Sequence, residues 1–296
     1  MTQLYWQVYK NLEKEFLGLS EMIHIDDSQQ NVYSMKIADL LVRTVIEIEA
    51  ISKELYLENS GTSIPDNQMY FDTVCIDHLN NLWNLETKVV LVVSPNIYFD
   101  KDENKVLRPL QKAMNRGSKS SDWNIAYQAV KHNRVKEIRK GNIKHLLHGL
   151  AALYLLNQYY KNERIDNILP LKLPSIDGSF GSQLFSVKIH WVDGVFLDGH
   201  YEKQSNYDEC VYLANHESNM KEKIVNILTE LTNRDDKFQN IKQASKKESS
   251  YQSAIDKTKR DFLFRLTQMD NNELMKLLTD SFDDLRYEIY LNKQQY

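Results

Sequence analysis

The sequence predicts a mainly helical α+β protein, with a helical bundle over residues 1–162 and a small antiparallel sheet with accessory helices over 163–296. Three observations carry this. Long stretches of the first half repeat apolar residues every three or four positions, the mark of helices with one buried face. Nine Gly and five Pro in 296 residues are too few for an all-β chain dense in turns. After Tyr160, Pro and Gly cluster and the period falls to two.

The elements follow in chain order. Leu4, Val8, Leu12, Phe16 and Leu19 define an amphipathic helix within residues 2–24. Ile37, Leu41, Thr44, Val45, Ile48, Ile51 and Leu55 define a longer one over about 32–57, stopped by Asn59-Ser60-Gly61. Pro65 and Asp66 open a third helix through about Leu85, and the β-branched run Lys88 to Val93 reads as a strand. A polar loop fills about 96–121, with a helical turn expected near Pro109 to Asn115. Asp122 caps a helix carrying Trp123, Tyr127, Lys131 and Arg134, whose offsets of four, eight and eleven residues put them on one face, with His132 beside them. Gly141-Asn142 breaks the chain before Ile143 to Tyr160, apolar nearly all round and so a central helix.

Beyond it, Phe185, Val187, Ile189 and Trp191 alternate with polar residues, Asp193-Gly194 signals a hairpin into Val195 to Leu197, and Cys210 to Leu213 supplies a third strand. Residues 218–282 read as interrupted polar helices, the last opened by a capping box of Asp270 and Glu273, and Tyr287, Ile289 and Leu291 return as a strand.

Composition sets the function classes. A net charge of −4 gives no global attraction to nucleic acid or an anionic membrane, so any such binding rests on a local patch. Cys75 and Cys210 form neither a zinc-ligand set nor a disulfide framework, which fits reducing cytoplasm. No signal-peptide pattern opens the chain, and no run reaches the roughly 18 apolar residues of a membrane span. Phosphate-binding loops, Gly-x-Ser-x-Gly elbows and His-Glu-x-x-His helices are absent, which disfavours nucleotide hydrolases, serine hydrolases and zinc proteases. His145 and His148 stand three apart on one helix face, but no matching ligand pair exists elsewhere, so neither metal nor cofactor is expected.

Candidate chemistry concentrates at the junction of the Trp123 helix and the Ile143 helix. An arginine there can hold a phosphate, while an imidazole with an ordinary pKa of about 6.5 moves protons at neutral pH. The groups are His132 with Arg134, and Arg139 with His145; Lys131 adds charge, and Trp123 and Tyr127 add an aromatic stripe. Glu47, in the long early helix, is expected either to orient Arg134 or Lys131 or to pair with Arg43 one turn away.

The run Arg139-Lys140-Gly141-Asn142-Ile143-Lys144-His145 resembles the arginine and histidine motif of the HEPN superfamily, a group of helical bundles. The likeness would span about residues 1–160, and it implies a metal-independent endoribonuclease or RNA-binding protein, often of bacterial defence or toxin systems, with a site composed across a homodimer. Lys140 stands where that motif usually carries Asn, Asp or His, and Lys131-His132-Asn133-Arg134 supplies a second arginine and histidine, so both sets stay open. A stripe of the form Trp, three residues, Tyr, three residues, then Lys-His-Asn-Arg also resembles uncharacterised helical bacterial proteins. The alternative is a non-catalytic interaction subunit whose helices bind a protein partner.

Overall fold

The computed structural model describes residues 4–113, 120–168, 177–191, 203, 205–216 and 287–294. The chain divides into two compact units. The first comprises Met1–Arg164, Ser175–Ala214 and Ile289–Tyr296; the second comprises Ile165–Pro174 and Asn215–Glu288, of which strand β5 (Ile165–Ile168), 215–216 and 287–288 are described. The fold is α+β and mainly α. The expected hairpin at Asp193-Gly194 and the helices of 218–282 lie outside the described residues.

Helix α1 spans Leu4–Ser20 and buries Tyr9, Leu12, Glu13, Phe16 and Leu19. The buried stripe therefore starts at Tyr9, and Leu4 is exposed. Helix α2 spans Met35–Glu58, opens on Ser34, whose hydroxyl accepts from the Ile37 amide (3.1 Å), and ends at Asn59. Its apolar face, Ile37, Leu41, Val45, Ile48 and Leu55, packs mainly against helix α6, Ile143–Lys161. Residues Leu146 to Tyr159 of α6 are buried almost throughout, as an all-round apolar helix at the centre of a bundle must be.

The third predicted helix is shorter and irregular. A 3-10 turn at Asp66–Gln68 precedes π-helical turns at Phe71–Ile76, which run into α3, Asp77–Trp83. Pro65 fixes the start of this segment, but the apolar residues after it do not hold one helical register. Between Asn96 and Ser121 the expected loop contains short elements: β3 (Ile97–Tyr98), α4 (Asp102–Lys105) and β4 (Val106–Leu107). Strand β3 pairs in parallel with β1, Ile25–Asp26. Pro109 to Ala113 is not helical.

Strand β2, Val90–Val92, lies between β4 and β6, Phe185–Val187, and pairs antiparallel with both. Strand β7, Ile189–Trp191, pairs in parallel with β8, Tyr212–His216, and β9, Tyr287–Leu291, neighbours β8. The single strand expected over Phe185 to Trp191 is thus two: β6, antiparallel to β2, which lies outside the expected sheet, and β7, parallel rather than antiparallel to β8. Period-two alternation marks a strand's faces and carries no information on the direction of its partner.

The loop at 177–184 is fixed to α1 by one buried carboxylate. Glu13 Oε1 accepts from Tyr9 Oη (2.9 Å), from the Gln183 and Leu184 amides (2.9 and 3.1 Å) and from Ser182 Oγ, while Lys10 meets Oε2. A charge on the buried face of an amphipathic helix is tolerable only with such a set of donors.

Candidate functional site

Helix α5 spans Asp122–Glu137 and opens on Ser121. Trp123 and Tyr127 are core residues: each is buried, and Trp123 Nε1 donates to the Pro109 carbonyl (2.6 Å). Lys131 reaches back so that its ammonium lies 5.3 Å from the Tyr127 ring centre, while remaining exposed. The face does not continue to Arg134. Asn133 has non-helical torsions (φ −146°, ψ 59°), so the helix kinks there and the residues beyond it leave the stripe. Asn competes with the helix by bonding locally, which makes it a natural breaking point.

Past the kink Arg134 Nη1 meets Asp39 Oδ1 of α2 (2.7 Å). The partner is therefore Asp39 and not Glu47, which lies eight residues farther along α2, about 12 Å at 1.5 Å per residue. Arg43 does not pair with Glu47 either, because its guanidinium forms two 2.7 Å bonds with Glu15. Glu47 is partly buried, and that burial raises its pKa against the opposing pull of Arg43.

A 3-10 turn at Ile138–Lys140 then leads to the N-terminus of α6. Asn142 organises this turn. Its Oδ1 accepts from the His145 amide (3.0 Å), capping α6, and its Nδ2 donates to the Arg139 carbonyl (3.3 Å), so one side chain links both ends of the Arg139-to-His145 segment. The turn is docked on the chain before α2: the Ile143 amide donates to Val32 O and the Lys144 amide to Gln30 O, each at 3.0 Å. Gly141 permits the approach, since a Cβ there would lie 2.6 Å from Ala38 Cβ and 2.9 Å from Ala38 Cα.

His145 Nδ1 lies 2.7 Å from the Lys140 carbonyl oxygen. A carbonyl only accepts, so the neutral ring carries its hydrogen on Nδ1 and its lone pair on Nε2. Burial lowers the His145 pKa, opposed by that hydrogen bond, and Lys144 lowers it further. The result is an oriented imidazole that is a free base at neutral pH. His148, one turn on, is pushed down to about 4 by burial, with Lys144 and His145 adding to the effect. It is a neutral helix residue rather than a proton shuttle near pH 7.

Arg139 is exposed and has no ion-pair partner among the described residues, whereas Lys140 pairs with Glu137 (3.0 Å). His132 is also exposed. The structure thus separates the two candidate sets: Arg139 and His145 belong to one internally braced turn, while Arg134 is tied to Asp39 and follows the kink that separates it from His132. Across 131–148 the chain carries six Lys or Arg against one acid, Glu137, although its net charge is −4. Arg134 and Lys140 are paired with Asp39 and Glu137, which leaves Lys131, Lys136, Arg139 and Lys144 without an ion-pair partner among the described residues.

The cleft at the other end of α5 is different in character. Asp72, Asp77, Glu86, Lys112, Trp123 and Asn124 are among its lining residues, and none of His132, Arg134, Arg139 and His145 is. His190 is buried with Nδ1 2.9 Å from Asn206 Oδ1. Among the described residues no three His, Cys, Asp or Glu are grouped to hold a metal ion, and no helix is long and apolar enough to cross a membrane.

Sequence reasoning passed over Asn142 as a brace, Asp39 as a partner and residues 30–33 as the platform for the turn. Only Asn142 left a local signal, an N-cap type residue directly before an apolar helix. Comparison with protein-family models, with curated proteins and with solved structures finds no match to this chain. The fold and site define a mainly helical α+β protein with a basic, histidine-bearing turn between α5 and α6.

Proposed function

We propose that the chain is a metal-independent endoribonuclease of HEPN-like type, in which Arg139 and His145 are the working pair. The observation that carries this reading is the setting of His145: its Nδ1 lies 2.7 Å from the Lys140 carbonyl oxygen, which leaves Nε2 as the proton acceptor, in the same braced turn as Arg139, which has no ion-pair partner among the described residues. His145 Nε2 takes the proton of a ribose 2′-hydroxyl. The 2′ oxygen then attacks the adjacent phosphorus, the bond to the 5′ oxygen breaks, and that oxygen leaves with a proton returned by the imidazolium or by water. The products are a 2′,3′-cyclic phosphate and a 5′-hydroxyl. Arg139 offsets the charge that builds on the phosphoryl oxygens, and Lys131, Lys136 and Lys144 attract the strand. A homodimer supplies the second wall of the site.

The test is cleavage of a mixed labelled RNA pool with EDTA present. The parent is expected to leave cyclic phosphate ends, with His145→Ala and Arg139→Ala each slowing the reaction about 100-fold or more. Arg134→Ala, whose guanidinium is occupied by Asp39, is expected to cost less than about threefold, by the same distinction between paired and free charge. Because the His145 pKa is lowered, the rate is expected to hold as pH falls through the ordinary histidine range before it declines. Absence of cleavage across about pH 6 to 8 would move the reading to a non-catalytic interaction subunit. Val135, apolar and 93% exposed just past the kink, favours that second reading as a contact for a protein partner.

A further inference from the structure

Building on the RNA reading of the turn, we infer that Tyr33 is a stacking platform that makes the site select single-stranded RNA. Tyr33 forms an isolated antiparallel bridge with Asn142. Residues directly opposite each other across such a pair project their side chains to the same face, with Cβ atoms about 5 Å apart. Asn142 is the residue whose amide ties the Arg139 carbonyl to the His145 backbone, so the Tyr33 ring starts on the same face as that brace. The flanking bonds from Ile143 N to Val32 O and from Lys144 N to Gln30 O fix the backbone on which the ring is mounted.

Tyr33 is 43% exposed, although a tyrosine on a docked segment beside a helix N-terminus has apolar surface to hide. It is paired with no aromatic ring among the described residues, and Met35, two residues on, is exposed as well. An available aromatic face on the segment docked to this turn, whose Lys131, Lys136, Arg139 and Lys144 have no ion-pair partner among the described residues, matches what an unpaired nucleotide offers, a π-face and a phosphate. In a duplex the bases are stacked on one another and cannot reach such a ring, so the preference is for loops and single strands. Stacking on Tyr33 also opens the backbone at the neighbouring nucleotide, which exposes a 2′-hydroxyl to His145 Nε2.

The experiment is fluorescence anisotropy with a labelled 2′-O-methyl oligouridylate, which cannot be cut through its 2′ oxygen, beside a matched 2′-O-methyl duplex. The variants are Tyr33→Ala, Tyr33→Phe and Arg139→Ala, each checked by circular dichroism. Tyr33→Ala is expected to weaken single-strand binding about tenfold, Tyr33→Phe to retain it, and neither to change the weaker duplex binding. If Arg139→Ala weakens binding but Tyr33→Ala matches the parent, or if parent binding is the same for both probes, the stacking role is overturned while the RNA reading stands. If the parent binds neither probe at low salt, both are overturned.

Discussion

Lys88 provides a direct test of how this core is balanced. It follows the turn at Leu85–Thr87, two residues before β2, near the turn at 207–210, to which the Val89 amide is bonded through Glu209 O (3.0 Å). The residue is fully buried and its Nζ has no hydrogen-bond partner among the described residues. Burial pushes its pKa down from 10.5 to about 8, despite the opposing attraction of Asp208 and Cys210. Each pKa unit is about 1.4 kcal/mol, so holding the ammonium in the fold costs about 3 kcal/mol at neutral pH. Lys88→Met keeps the length of the side chain and removes the charge, and it is expected to stabilise the protein by about that amount at pH 7. The sign across pH follows from the lowered value. Between about 8 and 10.5 the unfolded chain binds more protons than the folded one, so the parent gains stability as pH rises through this window, and its deficit against Lys88→Met shrinks. Urea denaturation of both proteins at pH 7, 8.5 and 10 measures the difference directly. If Lys88→Met is destabilised at pH 7, the ammonium has a compensating partner and the reasoning is wrong; a difference that stays constant from pH 8 to 10.5 refutes the assigned ionisation.

Two further outcomes concern the candidate site. His148, pushed down to about 4, stays neutral in the fold while the unfolded residue titrates near 6.5, so its contribution is intact above 6.5 and is lost as pH falls towards 4. His148→Leu is expected to flatten the acid limb of the stability curve by about 3 kcal/mol over that interval, and parallel acid limbs for the two proteins would contradict this. Gly141 has φ −77° and ψ 65°, outside the left-handed region, so the main cost of Gly141→Ala is the overlap with Ala38. Chemical denaturation is expected to show a loss of about 1 to 3 kcal/mol, partly restored by adding Ala38→Gly, and the proposed RNA cleavage is expected to fall and recover with it. An unchanged Gly141→Ala would mean that the turn is not pressed on α2.

The sequence by itself determined the helices and where several of them begin and end. The stripe in α2, the all-round apolar run of α6 and the alternation of β9 are all local, because helix and strand periods place neighbours in sequence on one face. It also brought Arg139 and His145 within one turn, since they are six residues apart across a chain break. What it did not determine was which of two arginines is free, because Arg134 is occupied by Asp39, 95 residues away, and only packing of α5 on α2 brings them together. The Asn133 kink, the parallel pairing of β7 with β8, the docking of residues 30–33 under the turn and the convergence of donors from 182–184 on Glu13 have the same origin. Each depends on which surfaces meet in three dimensions, and periodicity defines a surface without naming what will cover it.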